Sequence, residues 1–344
     1  MRVLARLIGS LVAFALGGAS VCAYGGYTGG EVRVVVYTAM EGDMSDAEGP
    51  GAVVAAELAA ADARGRVGSV PVKVAGKDHG GDAVRARRGV DQLLADGADL
   101  VVGLAGRDVA EAVQTAVAGK AVTVATGAVT DRLTGAGCTP TAFHWVPDLY
   151  VLTQVTRAEL RNQRGSRTIF IFGAGRREAI RNTYEHGMMQ SGQDVTGQVF
   201  VTDIRALGLY AGSGMRLISP FYWKSTPRTR QWAKRFYARH GAMPTYDQAA
   251  VYSAVKHYLE AAAAVGSDRP AEVATAMRRA PVDDMYAPDG TLRADGQLVQ
   301  DLQLMEVKRP GESEGAWDYF RRVRTLDGKA VYQPLAESSC AGAD

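Results

Sequence analysis

Few residues of this 344-residue chain are placed to do chemistry, and those that are suit reversible binding better than bond breaking. Thr126-Gly127-Ala128 follows the apolar run 121–125. A hydroxyl beside free backbone N–H groups at a helix start makes an anion site suited to a carboxylate. A tight turn would use the same glycine. Gly106-Arg107-Asp108 ends a second apolar run. Arg107 either clamps an anion through two parallel hydrogen bonds or pairs with Asp108 or Glu111. Asp203, after Thr202, either receives an ammonium group or caps a short helix over 204–209. Tyr222 and Trp223 face either a cleft or a core.

Catalytic and cofactor signatures are missing from the sequence. The five histidines, His79, His144, His186, His240 and His257, are scattered, with no H-E-x-x-H spacing. There is no G-x-S-x-G elbow and no phosphate loop. Asp78-His79 reads as a polar strand-end turn, because no nucleophile lies near it in sequence. Gly173-Ala174-Gly175 reads as a strand-to-helix turn rather than a dinucleotide loop. No enzymatic activity, cofactor or metal is expected. The 39 basic and 37 acidic side chains nearly balance and form no basic stripe, so no nucleic-acid partner is expected.

The elements that must position these residues alternate. Strands are predicted over 32–37, 70–75, 99–104 and 121–125, and helices over 51–64, 82–96 and 108–118. Uninterrupted apolar runs such as Leu100-Val101-Val102 suit strands buried on both faces. Repeated strand–helix–strand units specify a parallel sheet covered by helices. The second half repeats the pattern more thinly. Helices are predicted over 149–162, 178–189, 227–240, 247–264 and 271–279, strands over 168–172, 195–201 and 215–219, and β-hairpins over 290–332.

Residues 1–23 read as a cleaved secretory leader, with Arg2 and Arg6 ahead of an apolar stretch shorter than the ~20 residues a spanning helix needs. Cleavage after Ala23 is expected in preference to lipid anchoring at Cys22, because Ala19-Ser20-Val21 is a poor lipobox. Only Cys138 and Cys340 would then remain. In an oxidising compartment an even pair is a candidate disulfide; two unrelated thiols are the alternative.

Three stretches carry a resemblance to a known family. They are Ser45-Asp46-Ala47-Glu48-Gly49-Pro50 onward to Ala56, Leu133-Thr134-Gly135 through Cys138-Thr139-Pro140 to His144-Trp145, and Phe221-Tyr222-Trp223 through residues 230–241 to Gln248-Ala249-Ala250-Val251-Tyr252. Together they resemble the substrate-binding components of branched-chain-amino-acid-type ABC transporters. The resemblance implies a two-lobed α/β Venus-flytrap fold of the type I periplasmic binding kind, each lobe a mostly parallel sheet flanked by helices. It implies a first lobe over 31–148, a reduced second lobe over 149–245, return helices over 246–283, and hinge-crossing hairpins and a tail over 284–340.

The function implied is capture of a small amino acid or carboxylate by a periplasmic monomer that delivers it to an inner-membrane ABC permease. A degenerate homologue acting as a sensor or interaction module is the alternative. The ligand set implied is Met44, Gly106, Arg107, Thr126, Gly127, Ala128, Tyr150, Asp203 and Tyr222. Met44 stands where the family usually has a stacking aromatic. Relatives also have additional strand–helix units between the segments matching Thr168 and Val195.

Overall fold

The computed structural model describes residues 26–160 and 168–341. The expected leader, with Cys22, lies outside the described residues. The chain builds β1 (Val32–Thr38), α1 (Gly49–Asp62), β2 (Arg66–Val67), β3 (Val70–Asp78), α2 (Ala83–Ala95), β4 (Leu100–Ala105), α3 (Arg107–Val117), β5 (Val122–Gly127) and β6 (Ala142–His144). These strands form one sheet in the order β2-β3-β1-β4-β5-β6. All neighbours pair parallel except the short β2, which pairs antiparallel with β3.

Both faces of this sheet are covered, which is why its strands read as continuous apolar runs. Val32, Val34, Val36, Leu100, Val102, Val122 and Val124 enter one core, while Val35, Tyr37 and Val101 enter the other. The second face is closed by α2 and α3. The first is closed by α1 and by three helices from later in the chain: α8 (Pro227–His240), α9 (Tyr246–Val265) and α10 (Pro270–Arg279).

Between these lie α4 (Leu149–Leu160), β7 (Thr168–Ile171), α5 (Arg176–Glu185), β8 (Asp194–Gly197), α6 (Val201–Leu207), α7 (Leu209–Gly212) and β9 (Arg216–Ser219). The short strands β10 (Thr291–Leu292) and β11 (Leu298–Val299) pair with each other. The chain continues through β12 (Leu302–Val307), β13 (Phe320–Leu326) and α11 (Gly328–Val331). β7 and β8 pair parallel, and β9, β12 and β13 form an antiparallel sheet with β12 in the middle. Period-2 alternation gives that sheet two buried faces. Leu217, Met305 and Val307 pack with Ile180 of α5 and Ile204 of α6, while Ile218, Leu302 and Leu304 pack with Val151, Leu152 and Val155 of α4.

Two departures from the sequence reading have physical causes. The strand predicted over 195–201 stops at Gly197. A Cβ there would stand 2.0 Å from the Ile171 carbonyl oxygen, and φ is +141°, so the backbones converge and the strand ends. Helix α6 then starts at Val201, because Asp203 folds back to accept from the Phe200 N–H at 2.9 Å. Residues 149–245 also do not pack as a single unit. Trp232, Ala233 and Phe236 of α8 join the first lobe's core, and Arg235 binds Asp62 of α1.

The tail returns to the first lobe. Ser338 donates to the Thr134 carbonyl at 3.0 Å, and Cys138 is disulfide-bonded to Cys340. Cross-linking residues 202 apart restricts the unfolded chain strongly. Reduction, or Cys340→Ser, is expected to lower unfolding free energy by ~2–4 kcal/mol. Urea denaturation with and without a reductant checks this.

Candidate functional site

The carboxyl ends of β1, β4 and β5 open toward the second lobe, where ligands bind in open α/β sheets. The N-terminus of α9 closes the same space, held by a set of hydrogen bonds the sequence encodes locally. Thr245 Oγ1 caps the helix by accepting from Gln248 N and donates to the Ala47 carbonyl. Gln248 Nε2 donates to the carbonyls of Asp46 and Glu48 at 3.1 and 3.2 Å. Gly51 permits the approach, since a Cβ there would lie 2.2 Å from Gln248 Nε2.

This stitching buries two carboxylates side by side. Glu48 is 3% exposed and Asp247 is 1% exposed. Thr38 Oγ1 donates to Glu48 Oε2 at 3.1 Å. Glu48 Oε1 and both carboxylate oxygens of Asp247 are buried with no donor from outside the pair; the two carboxyl groups hydrogen-bond each other once one is protonated. Both acids press on Gly127, where a Cβ would stand 2.6 Å from Glu48 Oε1 and 3.3 Å from Asp247 Oδ2. Burial pushes the Glu48 carboxyl up to about 7, against the lowering effects of the Thr38 hydroxyl and of Arg176. Burial and the neighbouring Glu48 raise Asp247 well above the usual carboxylate range, with Arg176 acting against them. The two share a proton as a pair.

The second lobe answers with arginine. Gly173 and Gly175, at φ +70° and +78°, turn β7 into α5 and put Arg176 at its first position. Its side chain is 1% exposed. Nε donates to Asp203 Oδ2 at 2.7 Å, Nη1 donates to the Asp43 carbonyl at 3.2 Å and to the Met44 sulfur, and the guanidinium lies 4.8 Å from the centre of the Phe200 ring. Nη2 has no hydrogen-bond partner; Asp46 Oδ1 lies 3.6 Å away. Arg177 joins Asp203 at 2.8 Å and also pairs with Asp46. The Gly175 N–H donates to Asp43 Oδ2 at 3.3 Å. Asp43 to Asp46 and Arg176, Arg177 and Asp203 thus form the seam between the lobes.

The residues singled out from sequence fall in different places. Met44 and Asp203 are at the seam, and Gly127 lies against the acid pair. Asp203 both caps α6 and pairs with arginine. Thr126 and Ala128 are buried there too, but Thr126 Oγ1 donates to the Gly103 carbonyl at 3.1 Å, and the Ala128 carbonyl lies 2.7 Å from His144 Nε2. No helix starts at Gly127: the chain runs through turns and the short strand β6 before α4. The helix start on this side follows Gly106, where Arg107 is 62% exposed and pairs with Asp108 at 3.2 Å. Tyr150 is half-buried in the first turn of α4. Tyr222 is in the second lobe's core, its hydroxyl donating to the Trp317 carbonyl and accepting from Tyr319 N. Asp78 Oδ1 accepts from the N–H groups of Met40 and Gly80, and His79 Nδ1 from Gly81 N, as a strand-end turn.

Sequence reading passed over Arg176, Glu48 and Asp247. Each opens a helix after a turn, and that position was the available signal. Among the described residues, no group of three or more His, Cys, Asp or Glu side chains could hold a metal. Among them, too, no helix is long and apolar enough to cross a membrane.

A two-lobed α/β chain with polar groups facing across a seam is the architecture of an extracytoplasmic solute receptor. The chain belongs to the periplasmic binding protein family, whose model matches residues 31–199 and 177–315. It is similar to a periplasmic binding protein from Burkholderia mallei, with 28% identity and a TM-score of 0.85 over 90% of this chain and 98% of that one. It is also similar to a branched chain amino acid ABC transporter periplasmic ligand-binding protein from Burkholderia xenovorans LB400, with 27% identity and a TM-score of 0.82 over 91% and 100% of the two chains. A solute binding protein of an ABC transporter from Rhodopseudomonas palustris BisB5, in complex with 3,4-dihydroxy benzoic acid, shares the fold at 13% identity and a TM-score of 0.77, over 87% and 98%. No curated protein matches the chain.

The acid pair makes stability depend on pH. A carboxyl raised from 4.5 to about 7 keeps its proton longer in the folded chain. Its stabilising contribution is full below pH 4.5 and is lost as pH rises through about 7. The wild-type chain is expected to lose up to about 3 kcal/mol over that span relative to Glu48→Gln. Urea denaturation of both proteins across the range reads the difference, in which the contributions of the buried histidines cancel.

Proposed function

We propose that this protein captures a small amino acid or carboxylate between its lobes and presents it to an inner-membrane ABC permease. It does so without catalysis, as an exported monomer freed from the leader at 1–23. Family membership supports the class of function. The observation that carries the reading is the seam itself. Buried polar atoms short of hydrogen-bond partners stand on both of its sides: Glu48 Oε1 and Asp247 Oδ1 and Oδ2 on one, with no donor beyond their shared proton, and Arg176 Nη2 on the other, with only Asp46 at 3.6 Å. Such atoms are rare in folded proteins, because each costs about 1–3 kcal/mol unless satisfied. A ligand touching both rims would satisfy them and favour closure, which is how binding energy shifts an open–closed equilibrium.

Thermal-shift and calorimetric screening with amino acids and small aromatic acids tests the reading. A true ligand raises Tm in proportion to the logarithm of its concentration and reduces the radius of gyration in small-angle scattering. Arg107→Ala should leave its affinity within about twofold, because Arg107 is exposed and already paired. Silence across the panel would instead favour the sensor or interaction module.

A further inference from the structure

We propose that a cavity at the joint between the lobes, away from the seam, is a second binding site. It takes a small molecule with a carboxamide group on an apolar body, held by the side-chain amide of Gln300 and the hydroxyl of Tyr332. The cavity measures about 690 Å³, within the ~300–1,000 Å³ usual for small-molecule sites. The inference goes beyond solute capture and shares no residue with the seam.

The walls come from both sides of the joint. Thr291 of β10 stands on one side, and Leu292 and Leu298 of the β10–β11 pair enter the first lobe's core. Asp301 and the turn over 327–329 stand on the other, and their neighbours Leu302 and Leu326 pack with α4. Residues 332–335 complete the wall, in a tail fixed to the first lobe by Ser338 and the disulfide. Gly328 lets the pieces meet: its N–H donates to Asp301 Oδ1 at 3.1 Å, and a Cβ there would collide with the Gln300 carbonyl. A molecule held in this space touches both lobes.

Two side chains lining the cavity end in buried polar atoms without partners. Gln300 and Tyr332 are each 4% exposed, and Gln300 Nε2, Gln300 Oε1 and the Tyr332 hydroxyl make no hydrogen bond. A buried amide with neither its donor nor its acceptor satisfied is costly to the fold. Because the Gln300 amide makes no hydrogen bond, turning it toward the cavity breaks none. It presents a donor and an acceptor in one plane, which a second carboxamide matches with two parallel hydrogen bonds. Burial and the Asp148 carboxylate push the Tyr332 hydroxyl up, against the lowering effect of Arg293, so it keeps its proton and donates. An anion is a poor match. Arg293 is committed to Asp295 and to the Gln333 carbonyl, and Asp289, Asp301 and Asp327 outnumber Lys329 at the rim. Val299 and Leu335 supply apolar wall.

Calorimetry on the full mature chain with benzamide tests the site. Acetophenone, which keeps the ring and the carbonyl but has no donor, is the control. Benzamide should saturate the protein, and acetophenone should bind about tenfold more weakly or not at all. Gln300→Leu should weaken benzamide binding by about tenfold, and Tyr332→Phe by about threefold. Both variants should melt at or above the parent temperature, since each removes polar atoms that have no partner. Benzamide binding that ignores both substitutions lies elsewhere, the cleft included, and overturns the inference. So does equal binding of acetophenone, or no saturation at all by benzamide. A melting temperature lowered by several degrees in both variants would show that these groups are already satisfied, and it too overturns the inference. None of these readouts uses a cleft solute, so the failure of this site and the failure of solute capture are told apart.

Discussion

A guanidinium taken out of water must be matched on nearly every nitrogen, or the structure holding it loses several kcal/mol. Arg176 meets that demand only with help from both lobes: Asp203 from the second, the Asp43 carbonyl and the Met44 sulfur from the first. The relative placement of the two lobes at this seam is therefore tied to one side chain. Asp203 is equally constrained. It is fully buried, caps α6 and accepts from two arginines. Removing either member would strand a buried charge, and that cost is larger than the net worth of the pair.

Opposite this pair, the loop from β1 to α1 is shaped by contacts from some 200 residues further along the chain. Gln248 and Thr245 bind the carbonyls of residues 46–48, and the Ala-rich face of α1 lets α9 lie close. The α1–α9 contact and the acid pair are two outcomes of one arrangement. A carboxylate at the start of each helix suits the helix dipole, but the close packing that brings the helices together also removes water from both acids. That explains why their protons are held more tightly than dipole and neighbours alone would allow.

Much of the fold was legible in the sequence, because it rests on local patterns. The β-branched runs of the first sheet, the Thr226-Pro227 start of α8 and the Thr245 cap of α9 are each written in a few adjacent residues. The family was legible in the blocks around Ser45, Leu133 and Phe221. The site was less so. Arg107 and Tyr222 carry the right chemistry at strand ends, yet one is at the surface and the other supports a core, since sequence spacing does not tell which way an end turns. Glu48, Arg176 and Asp247 owe their importance to proximity among residues 48, 176 and 247, which no local pattern encodes. The end of β8 depended likewise on the approach of Ile171 to Gly197.

The bond between Cys138 and Cys340 has a topological effect beyond stability. Residues 138–340 hold the whole second lobe together with β6 and helices α8 to α10 of the first, and the bond closes all of them into one covalent ring. A single protease cut anywhere in that ring would open it without releasing a fragment. A chain nicked in an exposed loop of the second lobe would keep both pieces on one molecule, able to stay assembled.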